Sequence, residues 1–184
     1  MHKIYETERL SLKTLDKTNV DLVVNYYFRN KEFLETWEPL RNEGYYTAEF
    51  QEELLERDLK SSEDFNFLRL WIFKKGDCSR VIGNISFSNI IRGVFQSCNL
   101  GYKLDVDEIN MGYITEAIQE GIDIMFHEYG LHRIEANIMP KNVRSLKVVE
   151  KLGFYNEGLA YKYLKINGKW EDHIHMVLLN DEVT

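Results

Sequence analysis

Two periodicities of hydrophobic and polar residues alternate along this chain, and they predict both strands and helices. Strict alternation of apolar and polar residues is typical of a β-strand, and an apolar residue at every third or fourth position is typical of an amphipathic helix. The alternating pattern predicts strands at residues 9–13, 67–73, 81–87, 95–104, 133–138, 158–165 and 170–179. The helical pattern predicts helices at residues 19–27, 47–59, 112–127 and 142–152.

The strongest helical pattern runs from Gly112 to His127. A helix there connects the strands at 95–104 and 133–138, and a crossover of that length joins parallel strands. Asn167-Gly168 between the last two strands predicts a tight antiparallel hairpin. We therefore predict one α+β domain over residues 1–184, in which a mixed, mostly antiparallel sheet of about seven strands is flanked by about four helices.

The charge of the chain argues against binding to nucleic acid. The 184 residues carry 30 acidic and 23 basic side chains, for a net charge of −7, and a protein that holds a phosphate backbone usually has the opposite excess. Residues 31–64 alone contain eleven acidic and four basic side chains. This acidic segment is either a solvated helix surface or a negative rim that attracts a cationic amine.

Cysteines and histidines do not indicate a metal site. Cys78 and Cys98 lack the CxxC spacing of a zinc or redox centre, and the histidines lack ligand spacing. Alternation places His173 and His175 on one face of the last strand, towards solvent or the rim of a cleft. The start of the chain has no secretion signal and no apolar run is long enough to span a bilayer, so we predict a cytoplasmic protein with no membrane partner.

The segment around Gly112 is the first candidate for chemistry. It reads as a strand, a short loop, a glycine and an amphipathic helix. The free N–H groups of a helix N-terminus attract an anion, and a glycine there lets the backbone approach a phosphate. The segment is therefore either a phosphate site or a plain helix start.

Four segments together resemble the GNAT superfamily of acetyl-CoA-dependent N-acetyltransferases, and within it the RimJ/RimL branch that acetylates the N-termini of ribosomal proteins. The segments occur in the family's order over nearly the whole chain. They are Glu6–Lys13, Gly112-Tyr113-Ile114-Thr115-Glu116-Ala117, the run from Asn137 through Asn142 and Ser145 to Lys151-Leu152-Gly153-Phe154, and Gly168–His173.

The resemblance implies a binding site for the coenzyme. In the family, the loop before the long helix follows Gln/Arg-x-x-Gly-x-Gly/Ala and binds the pyrophosphate of coenzyme A. In this chain only Gly112 matches those marked positions. The pantetheine arm is expected where two strands splay apart, with Asn137 and Asn142 facing it. The implied coenzyme contacts are Tyr102, Lys103, Leu104, Ile109, Asn110, Met111, Gly112, Tyr113, Ile114, Thr115, Asn137 and Asn142.

The resemblance also implies a proton donor for the departing thiolate. Many relatives use a tyrosine seven residues after the capping asparagine, where this chain has Val149. The ribosomal-protein branch instead has a serine three residues after that asparagine, and Ser145 occupies this position. We therefore expect Ser145 to be catalytic; the alternative is that its hydroxyl only bonds to the helix backbone.

The general base is less clearly indicated. A glutamate that the family often has before Gly-Tyr is replaced by Asn99. Glu35 and Glu38 are candidates for the base, and a water chain is the other option. Together with Trp37, which they flank, they are also the candidates for acceptor binding.

The predicted function is acetyl transfer from acetyl-CoA to the N-terminal α-amino group of a ribosomal protein, by direct attack in a ternary complex. One alternative acceptor is a small amine such as a polyamine or an aminoglycoside. The other alternative is a non-catalytic acyl-CoA sensor. The protein is expected to be a monomer or a homodimer.

Overall fold

A β-sheet of eight strands lies at the centre of the structure, a computed structural model in which residues 2–182 are described. The strands are β1 Ile4–Glu6, β2 Leu10–Lys13, β3 Leu68–Lys74, β4 Gly83–Ile91, β5 Ser97–Leu104, β6 Arg133–Ile138, β7 Tyr155–Ile166 and β8 Lys169–Leu179. The helices are α1 Val20–Glu35, α2 Ala48–Glu63, α3 Tyr113–Asp123 and α4 Val143–Lys151. A π-helical turn, Ile124–Glu128, continues α3.

The sheet order is β1-β2-β3-β4-β5-β6-β8-β7, and β5–β6 is the parallel pair within it. The predicted α+β class and the mixed, mostly antiparallel sheet are confirmed. The eighth strand is β1, which pairs with β2 between Ile4 and Lys13. It has only three residues, too few to show an alternating pattern.

Two helices are longer than the pattern predicts because polar side chains occupy positions on their buried faces. In α1 the amide of Asn30 is fully buried, donates to the carbonyl of Tyr26 and accepts from the N–H of Val106. In α2 the side chain of Ser62, which lies past the predicted end at residue 59, is 1% exposed. A buried polar residue is indistinguishable in sequence from a solvated one, so the apolar pattern does not reveal the full length of either helix.

The two faces of the sheet are covered differently. The face towards α3 and α4 is apolar over most of its width, with Ile85, Phe87, Ile134 and Ala136 packed against the predicted stripe of α3. The opposite face, here called the α1/α2 face, is covered by a second cluster in which Trp71 and Phe73 are the contributions of the sheet. The residues that β6 and β8 place on the α1/α2 face belong to neither of these two hydrophobic clusters.

The parallel strands β5 and β6 pair over a short distance and then separate. Their register comprises Ser97 with Arg133, Cys98 with Ile134 and Asn99 with Glu135. Beyond these residues β5 remains paired with β4 as far as Leu104, and β6 remains paired with β8 as far as Ile138. The result is an open gap between residues 100–104 and 136–138, here called the wedge, and the predicted splaying of these strands is confirmed.

The last hairpin has the turn that its sequence predicts. Asn167 and Gly168 both have positive φ, 43° and 78°, as a type I′ turn requires. In the described part of the chain, no helix combines the length and the apolar character that crossing a bilayer requires.

Candidate active site

The loop from Asp105 to Gly112 brings the N-terminus of α3 to the edge of the wedge. The carboxylate of Asp105 is buried and pairs with Arg80 and Arg29 at 3.0 and 3.1 Å. Burial opposes its ionisation, but the hydrogen bonds from Arg80, the Asp107 amide and Arg29 outweigh that effect and lower the pKa of Asp105. The start of the loop is thus fixed by two arginines.

The end of the loop has the backbone conformation that a glycine permits. Gly112 is the N-cap of α3 with φ +79°, in the left-handed region. The N–H groups of the next residues, Tyr113, Ile114 and Thr115, belong to the first turn and have no partner within the helix. They therefore form a local positive field, open to an anion because Gly112 and Met111 are exposed.

Arg9 and Glu116 hold this loop against the N-terminal strands. The guanidinium of Arg9 donates to the carbonyl of Met111 at 2.9 Å and lies 4.8 Å from the ring centre of Tyr113. One oxygen of Glu116 accepts from the Thr7 hydroxyl at 2.6 Å and the Arg9 amide at 2.8 Å, and the other accepts from the Arg9 side chain at 2.7 Å. Thr7, Arg9 and Glu116 lie in two of the segments that carry the family resemblance, but the sequence alone predicts no role for any of them.

Inside the wedge, the side chain of Tyr102 reaches the first turn of α4. The Ser145 hydroxyl donates to the Tyr102 hydroxyl at 2.7 Å, and the Tyr102 hydroxyl donates to the Ser145 carbonyl at 2.9 Å. Burial raises the pKa of Tyr102 well above its usual range. Asn142 caps α4 by accepting from the Ser145 N–H at 3.2 Å, so the predicted cap is confirmed.

Lys103 and Glu38 meet on the α1/α2 face of the wedge. The ammonium of Lys103 is 2.6 Å from the Glu38 carboxylate, which is also 3.8 Å from Arg41. The backbone carbonyl of Glu38 accepts from the N–H of Asn167 at 2.9 Å. Glu38 therefore contacts β5 through its side chain and the β7–β8 turn through its backbone, and these two elements belong to opposite sides of the wedge.

The remaining candidates separate into exposed and enclosed side chains. Glu35 is exposed at the end of α1 and Trp37 is half-buried. The Asn137 side chain is on the α1/α2 face, and its oxygen is buried with no hydrogen-bond partner in residues 2–182. Leu104 is buried, and Ile109 and Asn110 precede Gly112 in the loop.

The alternation predicts the face of His173 correctly but not its exposure. His173 is only 3% exposed, so the prediction that it faces solvent or a cleft rim is wrong. Its Nδ1 is 3.0 Å from the carbonyl of Glu171, so this ring nitrogen has a hydrogen-bond partner although the side chain is buried. His175 is half-buried, 27% exposed, and stays at the surface of the α1/α2 face. No group of three or more metal-ligating side chains occurs between residues 2 and 182.

Comparison with known proteins gives this architecture a class. The acetyltransferase (GNAT) domain family matches residues 9–155. The ribosomal protein uS5-alanine N-acetyltransferase of Escherichia coli (strain K12) is 35% identical over 181 residues, covering 97% of this chain and 91% of that protein. The structure of the ribosomal-protein-S5-alanine acetyltransferase of Vibrio fischeri superposes with a TM-score of 0.93 at 34% identity, covering 99% of each chain.

A further structure contains the coenzyme. Mycobacterium smegmatis RimJ, in complex with CoA-disulfide, gives a TM-score of 0.90 at 23% identity, covering 100% of this chain and 89% of that one. These matches define an N-acetyltransferase. The chain belongs to the GNAT acetyltransferase family, and the resemblance to its RimJ/RimL branch is confirmed.

The contacts of Glu116 predict a pH-dependent stability. Partial burial opposes its ionisation, but the bonds from Thr7 and Arg9 outweigh that effect and lower the pKa of Glu116. A carboxylate with a lowered pKa stabilises the fold above its unfolded pKa of about 4.3, and that stability is lost as the pH falls through the folded value. Glu116→Gln should therefore reduce the free energy of unfolding at pH 7 by about 1–3 kcal/mol, and by progressively less as the pH falls below about 4.

Urea denaturation at pH 7 and at pH 3.5 measures both values. Glu120→Gln, one turn further along α3, is the matched control. Burial and the neighbouring Asp123 and Glu128 raise the pKa of Glu120, so its removal should be neutral or stabilising at pH 7. An equal loss of stability in Glu116→Gln at both pH values would contradict the assignment.

Proposed function

We propose that this protein transfers the acetyl group of acetyl-CoA to the N-terminal α-amino group of a protein, by direct attack in a ternary complex. The observation that carries the proposal is the wedge, which is open both to the N-terminus of α3 and to the polar α1/α2 face. A coenzyme arm and an amine that enter from these two sides meet between β5 and β6. The full-length similarity to ribosomal-protein alanine N-acetyltransferases supports a protein N-terminus as acceptor.

The coenzyme is proposed to bind along the exposed strand edges. Its pyrophosphate would accept from the first-turn N–H groups of α3, with Ile109, Asn110 and Met111 forming the loop before them. The pantetheine amides would pair with backbone groups of Tyr102–Leu104, which have no strand neighbour on the wedge side. Asn137 and Asn142 would face the arm from β6 and from the start of α4.

The acceptor is proposed to approach from the α1/α2 face, past the acidic segment. Glu35 is exposed and offers its charge to a cation, and Trp37 lies beside it. Glu38 is already paired with Lys103, so we assign it to shaping the entrance rather than to taking a proton. An α-amino group has a pKa of about 8, so part of it is already neutral at cellular pH. It can therefore react with a weaker base than a lysine side chain requires.

The chemistry needs one new bond and one broken bond. The amine nitrogen attacks the thioester carbon, the tetrahedral intermediate collapses, and the C–S bond breaks to release the coenzyme as a thiolate. Ser145 is proposed to donate a proton or a hydrogen bond to that sulfur. Tyr102 holds the serine hydroxyl at the wedge wall and is itself held by the Ser145 carbonyl.

A panel of acceptors tests the function. Thiol release from acetyl-CoA should be fastest with a peptide bearing a free α-amine and should vanish when that amine is blocked, even if the peptide contains lysine. A rate confined to polyamines or aminoglycosides would favour the small-amine alternative. Binding of acetyl-CoA without turnover on any acceptor would favour the sensor.

Gly112→Val should weaken acetyl-CoA binding by about tenfold or more. A valine is strained at φ +79°, and its Cβ would lie 3.3 Å from the Arg9 side chain, which itself binds the carbonyl of Met111. The substitution should therefore disturb the loop that is proposed to bind the pyrophosphate. Loss of one charge-assisted hydrogen bond costs about 1.5–3 kcal/mol, which sets the factor. Calorimetry measures it. Gly93→Val is the control, since Gly93 has a similar φ of +70° with open space around it, and unchanged affinity in Gly112→Val would place the coenzyme elsewhere.

Ser145→Ala should lower kcat by about 10²-fold or more with little change in acetyl-CoA affinity, because a positioned proton donor contributes about that much. If Tyr102 acts through Ser145, Tyr102→Phe should slow the wild type but should not slow Ser145→Ala further. A double-mutant cycle on kcat measures this coupling, with the exposed Tyr161→Phe as control. Additive losses would show that the two hydroxyls act separately, and lower stability with normal kcat would show that Ser145 only supports the helix.

A further inference from the structure

The closed end of the wedge carries a set of polar side chains on the α1/α2 face. Asn99 and Glu135 form the last pair of the parallel ladder, and Asn137 is the next residue of β6 on that face. The residue of β8 that pairs directly with Asn137 is His175. Because partners in a ladder project to the same face, Glu135, Asn137 and His175 line the side of the wedge from which the acceptor is proposed to enter.

The carboxylate of Glu135 is oriented by one neighbour and faces another. One oxygen accepts from the Arg133 side chain at 2.7 Å, and the other lies 3.8 Å from Nδ1 of His175. Arg133 also binds Glu157 on β7 through both of its terminal nitrogens, so its charge is shared between two carboxylates. The second oxygen of the Glu135 carboxylate thus faces the imidazole of His175.

The other groups around His175 are also defined. The Tyr163 ring of β7 is 5.0 Å from the imidazole centre, and the buried His173 lies two residues away on the same strand. Burial is the main cause of the lowered pKa of His173, so that histidine stays neutral and does not compete for the proton.

Asn137 provides an independent sign of a ligand at this position. Its side-chain oxygen is buried and has no partner in residues 2–182. A buried acceptor without a donor costs about 1–3 kcal/mol, a penalty that disappears when a donor enters. An amide N–H of the pantetheine arm or the ammonium of the acceptor is such a donor, and a donor on this face would lie beside His175, the β8 partner of Asn137.

We propose that His175 is the general base of the reaction and that Glu135 is its positioning residue. This rests on the proposed acetyl transfer to an amine. The acceptor ammonium gives one proton to the neutral imidazole, the freed amine attacks the thioester carbon, and the proton leaves His175 for water. The tetrahedral intermediate loses its second nitrogen proton to water, and when the C–S bond breaks the thiolate takes up a proton that water supplies through the Ser145 hydroxyl.

The competing bases on this face are less suited. Glu38 is engaged by Lys103 and Arg41. A carboxylate with an ordinary pKa of about 4 is a weaker base for an amine of pKa about 8 than an imidazole of pKa about 6.5. An imidazole is thus the better match in basicity, and His175 is the one that the fold places next to the wedge.

The test compares His175→Asn with wild type on the primary amine that the wild type acetylates fastest in the acceptor panel. At pH 7 the variant should lose about 10²-fold or more in kcat/KM for the amine, with unchanged calorimetric affinity for acetyl-CoA. The deficit should shrink as the pH rises past the acceptor pKa, because the amine then deprotonates without help. Added imidazole should restore part of the rate at pH 7.

Glu135→Gln and an unrelated histidine complete the design. Glu135→Gln should lower kcat/KM for the amine in the wild type and should not lower it further in His175→Asn, because the carboxylate acts through the imidazole. His127→Asn, exposed on the turn after α3, should behave as wild type. A His175→Asn rate within threefold of wild type at pH 7 overturns the proposal. A deficit that is equal at every pH and insensitive to imidazole overturns it as well, since that is a structural effect.

The two proposals fail in different ways. If the fastest acceptor is a polyamine rather than a peptide, the protein-N-terminus function is wrong, and the same comparison on the polyamine still decides whether His175 is the base.

Discussion

The early end of the β5–β6 ladder is the constraint on which the rest of the site depends. Three residue pairs join the strands, and beyond them each strand keeps its other neighbour. The sheet therefore stays continuous on both sides of the gap while it leaves unused backbone donors and acceptors inside it. Unpaired buried backbone groups are costly, so the gap is suited to a ligand that can form strand-like hydrogen bonds.

Two sets of contacts at the ends of the wedge fix its geometry. At one end, Arg9 and Glu116 connect the first strands with the loop before α3. At the other end, the Tyr102–Ser145 pair connects β5 with α4 across the gap. These contacts join elements far apart in sequence, so the loop, the gap and α4 keep fixed positions relative to one another. Ile109 and Ile114 depart from the family pattern of this loop. The departure does not change the start of α3, because the loop ends at Gly112 with φ +79° and the first-turn N–H groups belong to the backbone.

Features of the fold that depend on a few consecutive residues can be predicted from the sequence. The Asn167-Gly168 turn, the stripe of α3 and the Asn142 cap each depend on a few consecutive residues, and the structure confirms all three. The ends of α1 and α2 could not be predicted, because Asn30 and Ser62 are polar residues that the tertiary structure buries.

The site shows the same division between local and distant information. The resemblance identified Gly112 and Ser145 as candidates from short motifs. The contact of Glu38 with Lys103, the approach of His175 to Glu135 and the pairing of Asn99 with Glu135 depend on the register of separate strands, which no local motif encodes. The burial of His173 was missed for the same reason, since alternation gives the face of a strand but not what covers that face.

Glu38 has a consequence for the shape of molecule that can reach the wedge. Its side chain is attached to β5 and its backbone to the β7–β8 turn, so one residue bridges the mouth of the gap on the α1/α2 face. The two halves of the sheet, which the β5–β6 ladder joins at the closed end of the wedge, are thus joined a second time at its open end. The proposed acceptor amine would have to enter beside this bridge.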